Sequence, residues 1–85
     1  MYYNITKMKI ELSGPEGNAF YLMSLVSTLG HQLGLSNELT NAIITEMKAS
    51  DYKNLVKTFA KNFGMMVEIY QDGKLYDWES DYVNG

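Results

Sequence analysis

Residues 14–20, Gly-Pro-Glu-Gly-Asn-Ala-Phe, have the residue types of an anion-binding helix start. Pro15 suits the first helical position, because its fixed φ is already helical and its missing N–H would be unpaired there anyway. Gly17 is unexpected in a first helical turn, where it is about 0.8–1 kcal/mol less favourable than alanine. A glycine that lets an anion approach exposed N–H groups would explain it. The stretch therefore predicts a phosphate or carboxylate site on the N–H groups of residues 16–18.

A second interpretation of the same stretch needs no ligand. Ser13 and Glu16 have the spacing of an S-x-x-E capping box, and Gly17 would only let a neighbouring strand or helix pass close by. The spacing matches neither the dinucleotide-binding motif G-x-G-x-x-G nor the P-loop, so no named phosphate motif applies. The sequence leaves both interpretations open.

Aromatic and lysine side chains could complete a ligand site at this helix start. On a helical wheel Phe20 and Tyr21 lie off the apolar face, which indicates a platform for stacking a base or an oligomer contact. All seven basic residues are lysines, so an anion would depend on backbone N–H groups and a point charge such as Lys57, supplied by a neighbouring subunit. The predicted ligand-binding residues are Gly14, Pro15, Glu16, Gly17, Asn18, Phe20, Tyr21 and Lys57.

The sequence patterns for catalysis or metal binding are weaker than the pattern for a ligand site at residues 14–20. The one histidine, His31, has Ser27 one helical turn away, but no acid on that helix face would orient the imidazole. We therefore expect His31 to be a surface residue stabilised by the helix dipole, or a ligand contact. One histidine and no cysteine do not make a zinc site. The sequence predicts no enzyme, no cofactor and no metal site.

Length and charge bound the class of protein. The 85 residues predict one domain, residues 1–85, with a core small enough that homo-oligomerisation would help it. The net charge of −3 comes from the acidic residues 72–85, which argues against a general nucleic-acid binder. No apolar run of membrane-spanning length and no signal segment is found, so a soluble cytoplasmic protein without a membrane partner is expected.

The first two elements would position the helix start. Alternating apolar and polar residues predict a strand over residues 3–12 with one buried face. A helix over residues 15–33 follows, and Gly34 is suited to a left-handed C-terminal stop.

Two more helices and a hairpin complete the chain. Ser36 predicts the N-cap of a helix over residues 37–49, and Ser50 or Asp51 that of a helix over residues 51–63. Residues 65–71 alternate again before Asp72-Gly73, a strong two-residue hairpin turn. The hairpin register predicts two cross-strand pairs, Ile69 with Tyr76 and Val67 with Trp78.

These elements predict an α+β fold in the order β-α-α-α-β-β. We expect a three-stranded, largely antiparallel sheet with the helices on one face. The pattern does not decide whether the first strand pairs with residues 65–71 or 74–79. Residues 80–85 are expected to be a frayed tail.

Three segments carry a family resemblance. The run I-E-L-S-G-P-E-G-N-A-F-Y-L-M at residues 10–23 resembles the opening of short bacteriophage accessory proteins of uncharacterised function, in which a strand leads into a G-P-E-G-N-A-F helix. The segment D-Y-K-N-L-V at residues 51–56 and the step Phe63-Gly64 are also similar to that group. The resemblance implies a protein of the infected bacterial cytoplasm, and some phage proteins of this size sequester cyclic nucleotide defence signals.

Together these observations favour a non-catalytic homo-oligomeric protein that sequesters a small anionic or nucleotide-like ligand at the start of the first helix. The alternative is a protein-protein inhibitor or adaptor acting on a host defence protein through Phe20 and Tyr21 or the acidic hairpin. A purely structural assembly role is the third hypothesis.

Overall fold

The computed structural model describes residues 7–76. Its elements follow the predicted order, with a single 3-10 turn added before the first helix. The strands are β1 (Met8–Glu11), β2 (Val67–Gln71) and β3 (Lys74–Leu75), and the helices are α1 (Ala19–Gln32), α2 (Asn37–Met47) and α3 (Tyr52–Phe63). The 3-10 turn is Pro15–Gly17. The α+β class is confirmed. No helix within residues 7–76 is both long and apolar enough to cross a membrane.

The sheet is mixed, so the prediction of a largely antiparallel sheet is wrong. The strand order is β1-β2-β3, with β1 parallel to β2 and β2 antiparallel to β3. β1 and β2 are joined through the three helices, a crossover long enough to return the chain in its original direction. The first strand therefore pairs with the predicted strand over residues 65–71, which is central.

The hairpin between β2 and β3 follows the sequence prediction. Asp72 and Gly73 both have positive φ, 54° and 80°, as a type I′ turn requires. The Tyr76 N–H donates to the Ile69 carbonyl at 2.7 Å, which confirms that pair. The predicted partner of Val67 lies outside the described residues.

The start of α1 differs from its prediction. Asn18 is the N-cap, and its side-chain oxygen accepts from the N–H groups of Phe20 and Tyr21. Asn18 itself is extended, with ψ 133°, so the chain leaves the 3-10 turn before the helix begins. Helix initiation at Pro15 is therefore wrong, because a good N-cap residue three positions later competes with it.

The N-caps of α2 and α3 and the end of α1 are as predicted, whereas α2 ends at Met47, two residues before its predicted end. Ser36 accepts from the Leu39 N–H, and Asp51 accepts from the Asn54 N–H, so each caps its helix. Gly34 has φ 78° and ends α1 in the left-handed conformation. These signals were readable because each depends on residues within one helical turn.

The core lies between the sheet and the helices. Ile10, Val67 and Ile69 are buried, whereas the alternate strand residues Lys9 and Glu68 are exposed or half-buried. The largest fully buried side chains come from both layers: Phe59, Phe63, Ile10, Leu22, Met47, Val26 and Val56. The helices thus cover one face of the described sheet, and polar strand residues occupy the other.

Candidate functional site

The N–H groups of the helix-start segment, residues 14–21, are largely bonded within the chain. Gly17 N–H donates to the Gly14 carbonyl at 3.0 Å, and Asn18 N–H donates to the Pro15 carbonyl at 3.2 Å. The Asn18 side-chain oxygen, expected to contact a ligand, accepts from Phe20 N–H at 2.8 Å. An anion bound through residues 16–18 would have to displace these bonds.

Glu16 covers part of the outer edge of β1, which is an edge strand of the sheet formed by the described residues. Its Oε1 accepts from the Glu11 N–H at 3.1 Å, so the Ser13–Glu16 capping box is wrong. The N–H groups of Met8 and Leu12 donate across to carbonyls at β2. Because N–H directions alternate along a strand, the Glu11 N–H points to the outer edge. An unpaired strand edge is a template for association, and Glu16 covers this part of it.

Gly17 is present because the backbone of Leu12, just after β1, passes too close for any side chain. A Cβ atom added at Gly17 would lie 2.7 Å from the Leu12 carbonyl carbon and 2.9 Å from its Cα, and closer still to the carbonyl oxygen. Carbon atoms prefer separations of about 3.5–4.0 Å. The close-packing interpretation of this glycine therefore accounts for it without a ligand.

Glu11 joins the end of β1 to two turns and was missed by sequence reasoning. Its carboxylate accepts from the Ser13 hydroxyl at 2.6 Å and the Ser13 N–H at 3.1 Å, and from the N–H groups of Asp72 and Gly73 at 2.9 and 3.0 Å. These hydrogen bonds, led by the Ser13 hydroxyl, lower the Glu11 pKa to about 2. A partner 61 residues away leaves no local sequence signal.

The two aromatic residues of the helix-start segment differ in exposure. Phe20 is 78% exposed, as the wheel predicts. Tyr21 is half-buried against the core, so its predicted outward orientation is wrong. Tyr52 also reaches this segment, because its hydroxyl donates to the Gly17 carbonyl. Burial raises the pKa of Tyr52.

Lys57 and Lys61 of α3 differ in their surroundings. Lys57 is half-buried within α3. Lys61, one turn later, bonds Glu46 of α2 at 2.8 Å, so part of this face links two helices. The use of Lys57 toward a ligand in a neighbouring subunit stays a prediction.

A polar cleft lies between the second half of α1 and the first turns of α2. Its volume is about 430 Å³. Five of its seven lining residues are exposed, so the cleft is shallow and open to solvent. The lining combines hydroxyl, imidazole and carboxamide groups with one apolar side chain: Ser27, Thr28, His31, Leu35, Asn37, Thr40 and Asn41. The sequence singled out His31 and Ser27 on this face of α1, but missed the residues of α2.

We call this site the α1–α2 cleft. Gly30 within α1 and Gly34 just after it shape the cleft. Leu35 N–H donates to the Gly30 carbonyl and Gly34 N–H to the His31 carbonyl, a Schellman turn that reverses the chain. A Cβ atom at Gly30 would lie 2.5 Å from Cγ2 of Thr40, so the two helices touch closely at this point. The Thr40 hydroxyl donates to the Asn37 carbonyl at 3.0 Å, which holds the Thr40 side chain in place.

The polar side chains that line the α1–α2 cleft could form hydrogen bonds to a ligand. Among the described residues, no carboxylate lines the cleft. Within residues 7–76, the side chains of His31, Asn37 and Asn41 form no hydrogen bond to the chain. Their donors and acceptors are therefore available to a bound molecule.

No group of three or more acidic or histidine side chains in the described part of the chain could hold a metal ion. Comparison with protein-family models, with curated proteins and with solved structures finds no match.

Proposed function

We propose that this chain is a non-catalytic binding protein that holds a small nucleotide-like ligand in the α1–α2 cleft and removes it from solution by stoichiometric binding. The observation that carries the proposal is the cleft itself, about 430 Å³ in volume and lined by polar side chains from two helices. A homo-oligomer and a setting in the cytoplasm of a phage-infected bacterium belong to the same proposal, and rest on the small core and on the sequence resemblance.

The cleft is favoured over the helix-start segment as the ligand site because more of its polar groups are free to bond a ligand. At the helix start, Gly17 and Asn18 N–H groups are already bonded, and the carboxylate of Glu16 would repel an anion. In the cleft, the side chains of Asn37 and Asn41 have no competing partner within the described residues. A ligand there gains hydrogen bonds without breaking any in the chain.

Calorimetric titration against a panel of nucleosides, nucleotides and cyclic dinucleotides tests the proposal. We expect at least one to bind and to raise the melting temperature, since a ligand selective for the native state stabilises it. An Asn41→Ala variant should weaken binding, whereas Ala42→Ser, an exposed neighbour outside the cleft, should not. Binding that is unaffected by Asn41→Ala, or no binding at high micromolar concentration, would contradict the proposal.

One observation favours the second candidate function, a protein-protein inhibitor or adaptor. Phe20 is 78% exposed beside the 3-10 turn, and exposed aromatics are common anchors of interfaces. A host protein captured on the immobilised chain should then be lost with Phe20→Ala. It should be retained with Met65→Ala, which truncates an apolar side chain of comparable exposure, 67%, elsewhere on the surface.

A further inference from the structure

We infer that the ligand of the α1–α2 cleft is uncharged, a nucleoside or free nucleobase recognised through the hydrogen-bonding edge of its base. This inference rests on the proposed function and narrows its ligand class. The cleft would therefore recognise a different part of a nucleotide from the site predicted at the helix start. The cleft would bind the base, whereas the helix start was expected to bind the phosphate.

The charges around the cleft argue against a phosphate. α1 carries no lysine and no carboxylate, and α2 carries no lysine. Its two charged residues are Glu38 and Glu46, and Glu38 lies in the first turn beside the cleft residue Asn37. Lys48 follows the other end of α2, on the order of 10 Å along the axis from Asn41.

The helix dipoles do not compensate for the missing cations. The N-terminus of α2 would attract an anion, but the C-terminus of α1 meets the same turn with the opposite sign. The Leu39 N–H of α2 already donates to the Ser36 hydroxyl oxygen at 3.1 Å, so it is not available to an anion. Among the described residues, a phosphate in the cleft would therefore find no lysine on either helix to offset its charge.

The carboxamides of α2 provide the recognition chemistry. Asn37 and Asn41 are four residues apart, so they share one face of the helix. Each carboxamide carries a donor and an acceptor side by side, the arrangement that pairs with the edge of a base such as adenine. On the facing helix, His31 and Ser27 have the same spacing and add an imidazole and a hydroxyl.

Leu35 adds the apolar contact that a planar ring needs. It is half-buried at the turn between the helices and is the one aliphatic side chain among the described residues that line the cleft. A sugar would use the same donors and acceptors but would gain less from Leu35. Free ribose therefore serves as the competing ligand in the test.

The test is titration of the whole chain with adenosine, guanosine, cytidine and uridine, with their 5′-monophosphates and with ribose. We expect at least one nucleoside to bind as tightly as its monophosphate or more tightly, and ribose not to bind. Asn41→Asp keeps the side-chain size but removes the amide donor, and should weaken nucleoside binding about tenfold or more. Ala42→Ser should leave it unchanged, and circular dichroism melting should show both variants folded.

The outcomes distinguish the inference from the function it rests on. Monophosphates that bind through the cleft while nucleosides do not would overturn the uncharged ligand and leave the binding function standing. Binding of ribose alone would also overturn it. If only a cyclic dinucleotide binds, the uncharged ligand is overturned and the binding function stands. If cyclic dinucleotides also fail to bind, the proposed function fails and the inference fails with it.

Discussion

Replacing Gly17 with alanine should destabilise the fold severely, although alanine is the better helix former. The added Cβ would lie 2.7 and 2.9 Å from two backbone carbons of Leu12, about 1 Å inside ordinary contact. Backbone cannot rotate aside as a side chain can, so the 3-10 turn must move away from Leu12. That movement strains the Leu12 N–H bond to Tyr70, 2.7 Å, and the Tyr52 bond to the Gly17 carbonyl.

Overpacking of this kind costs about 1–3 kcal/mol, and the rigid neighbour places Gly17→Ala at about 3 kcal/mol or above. For a domain of this size each kcal/mol lowers the melting temperature by about 4–8 °C, so a fall of about 12–24 °C is expected. Thermal and urea unfolding followed by circular dichroism would measure it.

Gly14→Ala is the matched control, three residues earlier in the same segment. A Cβ atom there would lie 3.8 Å from the Glu11 carbonyl oxygen, an ordinary contact, and φ is −107°. We expect an unchanged or slightly raised melting temperature, because alanine restricts the unfolded chain. If Gly17→Ala were as stable as Gly14→Ala but lost ligand binding, the packing explanation would be refuted and the glycine would belong to a ligand site.

Two further predictions concern the carboxylates at the end of β1. Glu16→Ala should lower the free energy of unfolding by about 1 kcal/mol and promote self-association, because the Glu11 N–H loses its acceptor at 3.1 Å and the strand edge is exposed. Glu16→Gln keeps an acceptor oxygen, so by light scattering it should remain monodisperse if the wild type is. Equal behaviour of the two variants would argue against protection of the edge by Glu16. The lowered pKa of Glu11, about 2 against 4.5, means that its carboxylate stabilises the fold above pH 4.5 and that this contribution is lost as the pH falls toward 2. The difference in melting temperature between wild type and Glu11→Gln should therefore shrink over that window, and a constant difference would contradict the role of the charge.

Local chemistry made part of this structure predictable from sequence. The Ser36 and Asp51 caps, the Gly34 stop and the type I′ turn each depend on residues within a few positions. The start of α1 was missed although it is also local, because two adjacent start signals compete, Pro15 and the Asn18 N-cap.

Contacts between distant parts of the chain were not predictable. Two such contacts join residues about sixty apart with no sequence pattern to mark them. They are the pairing of β1 with β2, and the hydrogen bonds that the Asp72 and Gly73 N–H groups donate to the Glu11 carboxylate. The sequence identified only part of the cleft lining, Ser27 and His31 on the polar face of α1. Asn37 and Asn41 were not, because their position depends on the close approach of Gly30 to Thr40.

The most direct test of the central claim, that the α1–α2 cleft binds a nucleotide-like ligand, is a map of amide chemical-shift changes on titration with the nucleoside that binds. The side-chain amides of Asn37 and Asn41 and the backbone amides around His31 should shift together, with the helix-start segment unchanged. Shifts confined to residues 14–21, or spread without reference to the cleft, would contradict the claim.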